Sequence, residues 1–165
     1  MKTLFVVLII SFLTACGGAQ DRNCESKMVN NNQLITGTSG LKLEISNGMY
    51  MTFQQMESIY ESMKQCVGVQ PPTGVGPTIY YKNFGKNGLG AAWAFHTEGV
   101  IWVNNDNVNL PPRNCHSDQN ALKHEIVHYL LYISGSDVAS NTDHGSEFFA
   151  KCDALGVRTE NGIPY

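Results

Sequence analysis

The run His124-Glu125-Ile126-Val127-His128 carries the residue types of a metal hydrolase at the spacing that chemistry needs. Residues four apart share one face of an α-helix, so His124 and His128 can turn two imidazoles towards one ion. Glu125, beside them, is the expected catalytic base, taking a proton from a water that the ion polarises. Imidazole nitrogens suit zinc, and Zn2+ is the expected cofactor. A catalytic zinc takes three protein ligands and keeps a fourth position open, so a third ligand must come after His128. The downstream chain offers Asp137, Asp143, His144 and Glu147.

The elements that must position these groups can be read from pattern. From Ser117 to Ile133 there is neither Gly nor Pro. Ser117 suits an N-cap, Asp118 the positive end of the helix dipole and Gly135 a C-terminal cap. Leu122, Ile126, Tyr129, Leu130 and Ile133 cluster around one direction at about 100° per residue. His124 and His128 project roughly opposite, so one side of this helix is expected in the core and the other facing a cleft. Tyr132 lies near the ligand side and could donate a hydrogen bond, although an aromatic on a packed helix is usually core. Asp143 to Cys152 reads as a further helix with Asp143 as N-cap, His144 in its first turn and Phe148 anchoring the same face.

Upstream, Leu41 to Ile45 alternates as a strand and Asn47-Gly48 signals a turn. Thr52 to Val67 reads as a helix, with a Thr52/Gln55 capping box, a terminating Gly68 and a stripe of Phe53, Met56, Ile59, Tyr60 and Met63. Pro77 to Lys82 reads as a strand. Ala91–Phe95 and Val100–Val103 read as a hairpin turning through His96-Thr97-Glu98-Gly99. His96 and His116 are expected in exposed loops. The substrate is expected to lie extended along the hairpin edge.

This order, together with H-E-x-x-H, resembles the zincin metallopeptidases. In that fold a small twisted sheet flanks the cleft and precedes the active helix. The spacing is not that of metzincins, because Leu131 and Ser134 stand where that pattern has Gly and His. The downstream His144-Gly145-Ser146-Glu147-Phe148 is similar to the H-G-x-x-F of SprT-type zincins, a resemblance that covers about the last third of the chain. It nominates His144 as third ligand, with Glu147 the rival by analogy with the glutamate-ligated gluzincins. The implied fold is α+β and zincin-like: a small twisted mixed sheet, a preceding helix, the motif helix and a C-terminal helix. SprT-type proteins are intracellular, whereas this chain reads as exported.

The export reading comes from the N-terminus. Lys2 precedes an apolar run, Leu4 to Leu13, too short to span a bilayer. Leu13-Thr14-Ala15-Cys16 follows and resembles the lipobox of bacterial lipoproteins. The resemblance implies a signal peptide over residues 1–15, lipidation of Cys16 and attachment to the bacterial cell envelope, on the outer membrane or facing the periplasm. Residues 16–40, polar and rich in Gly and Asn, read as a flexible tether, and 41–165 as the metallopeptidase domain. Cys24, Cys66, Cys115 and Cys152 remain and fit two disulfides in an oxidising compartment. The expected pairs are Cys24–Cys66 and Cys115–Cys152. The second would clamp two antiparallel ligand-bearing helices.

At 165 residues and a formal net charge of −3, with no basic patch, the chain is expected to be one domain, a monomer, and no nucleic-acid binder. The expected function is a membrane-anchored zinc endopeptidase acting on a peptide or protein substrate. The alternative is a zincin-fold lipoprotein that no longer cuts and serves as a binding module.

Overall fold

A computed structural model describes residues 29–31, 33–82, 94–97, 99–104, 115–136 and 146–155. The fold is α+β. Strands β1 (Val29–Asn31), β2 (Ile35–Thr36) and β3 (Lys42–Met49) precede helix α1 (Phe53–Val67). Then come β4 (Thr78–Lys82), β5 (Ala94–Thr97), β6 (Val100–Asn104), α2 (Cys115–Ile133) and α3 (Glu147–Lys151). The sheet is mixed, in the order β1-β3-β4-β6-β5, with β2 also paired to β3. β3, β4 and β6 are parallel neighbours, while β1, β2 and β5 pair antiparallel. Parallel pairing of β3 with β4 needs a crossover, and α1 supplies it.

Alternation sorts the sheet residues. Leu41, Leu43, Ile79, Tyr81, Ile101 and Val103 are fully buried against the helices. The intervening Glu44, Tyr80 and Trp102 are half-buried on the other face. There the Tyr80 and Trp102 rings stack with centroids 4.4 Å apart, and the Tyr80 hydroxyl donates to the Glu44 carboxylate.

The expected capping box of α1 is present. Thr52 N–H donates to Gln55 Oε1 at 2.7 Å and Gln55 N–H to Thr52 Oγ1 at 3.2 Å. Gly68 closes α1 at φ 78°, a left-handed conformation that glycine takes without strain. Met56, Tyr60, Met63 and Val67 bury its apolar stripe, with Phe53 and Ile59 at its margin.

Several expectations need correction. Asn47-Gly48 is not a turn but lies inside β3, where the pairing with β1 runs from Ser46 to Met49 with a register shift between them, and this pairing outweighs the local turn preference. Residues 29–31 and 35–36, within the expected tether, are strands paired to β3, and the Glu57 carboxylate holds the following turn through Ser39. His96 and Thr97 belong to β5 rather than to the hairpin turn, so the reversal is tighter than expected. Helix α2 begins at Cys115, so Ser117 lies inside it and is not its cap. α3 begins at Glu147, and its N-cap is Ser146, not Asp143.

The disulfide pairing also differs. Cys66 bonds to Cys152, not to Cys24. Cys115 is disulfide-bonded as well, but not to Cys152. The expected pairing assumed a helix running eight residues from His144 to Cys152, which would carry the second cysteine to the start of α2. The helix present is short and delivers Cys152 to the last turn of α1 instead. Cys24 lies outside the described residues.

Candidate metal centre

α2 is deeply enclosed. From Ala121 to Leu131 every residue is buried, so the helix has no face open to a cleft over this length. Leu122, Ile126 and Leu130 are fully buried as the periodicity requires, and Tyr129 joins them. Ile133, expected in the same stripe, is exposed near the helix end. Gly135 at φ 76° ends the helix as expected. Its N–H reaches Tyr132 O and the Ser136 N–H reaches Leu131 O, a left-handed cap that satisfies two terminal carbonyls. Near the helix start, the buried Asp118 carboxylate accepts the Tyr50 N–H at 3.0 Å and ties α2 to the end of β3.

His124 and His128 lie one turn apart with ring centroids 4.8 Å from each other, edge to face. They are 5% and 2% exposed, so both rings are out of bulk water. Phe149 of α3 packs on both, at 4.9 Å from His124 and 4.7 Å from His128. His124 Nδ1 lies 2.8 Å from the Ala154 carbonyl. A carbonyl only accepts, so Nδ1 carries the proton and Nε2 the lone pair. This is the arrangement by which a metal-binding histidine is usually oriented, with one nitrogen donating to a carbonyl and the other turned to the ion.

Glu125 is 5% exposed, and among the described residues no hydrogen bond or ion pair reaches its carboxyl group. Burial alone pushes the group up from its ordinary 4.5 to about 8. A buried carboxyl group without a partner costs stability, and so asks for a functional explanation. A cation held on the neighbouring imidazoles would provide one. On these two observations, a fixed His124 tautomer and a Glu125 carboxyl group with no partner among the described residues, the residues fit a divalent metal.

The segment after α3 is held in place by consecutive residues. Cys152 is bonded to Cys66. Asp153 pairs with Lys123 at 3.1 Å, and Ala154 receives the His124 proton. Asp153 sits at φ 52°, its N–H reaches Ala150 O at 3.3 Å, and the Ala154 N–H reaches Phe149 O at 2.8 Å. This is a Schellman ending with Asp in place of the usual Gly.

Sequence reasoning names His124, Glu125 and His128, and the fold keeps them together in one buried turn. It does not find Phe149, because Phe148 has the expected spacing but is only half-buried, its ring beneath Lys151 Nζ at 5.2 Å. Nor does it find the Ala154 carbonyl, since a backbone acceptor has no residue signature. Glu147 is exposed. Two helical steps turn it about 200° from the side on which Phe149 meets the imidazoles. Tyr132 and His116 are exposed on α2, His116 in a helical first turn rather than a loop. His144 and Cys16 lie outside the described residues. Among the described residues, no group of three His, Cys, Asp or Glu side chains converges, and no helix is long and apolar enough to cross a membrane.

No family model matches the chain, and neither a curated protein nor a solved structure is similar to it.

Proposed function

We propose that this chain is a zinc-dependent endopeptidase, anchored to the bacterial cell envelope by a lipid on Cys16 and working as a monomer. The observation that carries the reading is the α2 turn itself: two imidazoles 4.8 Å apart, one with its tautomer set by Ala154, beside a buried carboxyl group that no described residue engages. His124 and His128 hold the metal, and His144 is the third ligand by its resemblance to the SprT pattern. A zinc ion there would supply Lewis acidity to a water molecule and to the scissile carbonyl. Glu125 takes the proton of that water and delivers it to the leaving amine. Phe149 and the surrounding core keep bulk water from the imidazoles. β5 ends the sheet order and packs beside α2, so it is the strand along which an extended peptide would be added.

The test is hydrolysis of an unstructured protein substrate by the zinc-loaded chain and by Glu125→Gln. The variant keeps the ligands and loses the base. It should therefore retain zinc stoichiometry and lose turnover by several orders of magnitude. Equal turnover in the two proteins would refute the mechanism.

One observation favours a second reading. His128 is only 2% exposed, and a substrate cannot reach an imidazole so enclosed without displacing its cover. A zincin-fold binding module that holds metal without cutting accounts for that burial. Zinc binding without hydrolysis, in the wild-type chain as in Glu125→Gln, would establish it.

A further inference from the structure

We infer that residues 152–154 form a positioning device for His124, and that the Cys66–Cys152 disulfide and the Lys123–Asp153 ion pair act on metal affinity through it. The inference rests on the metal reading above and deepens it.

The His124 ring proton goes to a backbone carbonyl. Ala154 is fully buried, and its carbonyl is 2.8 Å from Nδ1. Were that carbonyl to move away, the 5%-exposed ring would have little access to water as a substitute partner. The proton could then settle on either nitrogen, and only the tautomer with Nδ1 protonated offers Nε2 to an ion. The position of one backbone carbonyl therefore sets the fraction of molecules in which His124 can bind metal.

Three contacts fix that carbonyl. The residue two before it is covalently joined to the last turn of α1. The residue one before it is paired with Lys123, the immediate neighbour of His124 in the helix. The Ala154 N–H is itself held by Phe149 O, and the Phe149 ring lies against both imidazoles. The ion pair is the weaker restraint, because the Asp153 side chain is 63% exposed and its attraction is screened. The disulfide is the stronger, because it ties the segment to an element outside α2 and α3. Loss of an outer partner to a metal-bound histidine typically lowers affinity about 10–100-fold.

The experiment uses the full chain, wild type and Cys66→Ala/Cys152→Ala. Zinc affinity is measured by competition with a chromophoric chelator. The His124 Nδ1–H is followed by nitrogen-15 imidazole NMR in the metal-free protein. The double variant should lose the slowly exchanging Nδ1–H signal and bind zinc about 10–100-fold more weakly. Circular dichroism establishes that it is folded. If it is not, Lys123→Met, which keeps the disulfide, carries the test with an expected loss of a few-fold and a weakened Nδ1–H signal. A folded double variant with wild-type affinity and an intact Nδ1–H overturns the inference. So does an unchanged Lys123→Met, should the double variant be unfolded. If the wild-type chain binds no zinc but the double variant still loses the Nδ1–H signal, the metal reading fails and the positioning role stands.

Discussion

Glu125 gives the candidate site a signature that can be read without substrate. Burial pushes its carboxyl group up to about 8 in the folded, metal-free protein, against its ordinary 4.5 in the unfolded chain. Between those values the folded state holds a proton that the unfolded state has released, so stability falls as pH rises. This contribution is intact below about 4.5, erodes at up to about 1.4 kcal/mol per pH unit, and is flat above about 8. Glu125→Gln should remove that slope, and urea denaturation of the two metal-free proteins at pH 5 and pH 8 measures it. A cation beside the group favours the carboxylate, so zinc uptake at pH 7 should also release a proton that Glu125→Gln does not release. Calorimetry in buffers of different ionisation enthalpy would detect the difference. At this scale the sequence is most legible where the candidate residues are local. His124, Glu125 and His128 lie within one turn, and four-residue spacing is enough to bring the two imidazoles together. Phe149 and the Ala154 carbonyl come from a distant segment whose path no local pattern prescribes.

The helices α1 and α2 are legible because their ends are chemical. Thr52 with Gln55, Gly68 and Gly135 satisfy backbone groups that would otherwise be orphaned, and each does so in the structure. α3 is misread at its start, where Ser146 rather than Asp143 is the cap, and its ending does not use glycine. Asp153 takes the left-handed position instead, a conformation that Asp and Asn tolerate better than other side chains. Asp153→Asn should keep the turn and lose only the screened pairing with Lys123, at a cost below about 1 kcal/mol. Asp153→Val forces a β-branched residue into positive φ as well and should cost about 1–3 kcal/mol. Thermal melts of the two variants separate the contributions, and equal losses would show that backbone conformation is unimportant there. Asn47-Gly48 is the converse case. Its turn preference is real, but pairing of the surrounding strand with β1 overrides it.

For the molecule as a whole, composition and element order suffice for an α+β fold, whereas the mixed sheet is implied only by the zincin resemblance. The cysteines show where such reasoning stops, because four residues allow three pairings and only the path of α3 chooses among them. The bond present spans a sequence separation of 86. A loop of that size contributes about 4–5 kcal/mol in the chain-entropy account. Cys66→Ala/Cys152→Ala should therefore lower the melting temperature by about 10–20 °C, as read by circular dichroism. A change of a degree or two would mean that the unfolded chain is already compact around this link.

The hydrogen bond from His124 to Ala154 spans 30 residues of chain. This imposes an order on the protein's own making. When the H-E-x-x-H turn has been synthesised, the carbonyl that sets its first imidazole has not yet been made. Nor has Cys152, the sulfur partner of a cysteine that precedes the whole motif. Chains interrupted before residue 152 would carry every letter of the motif, yet the ring of His124 would lack its native tautomer. The contact that orients this ring therefore forms only after residue 154 has joined the chain.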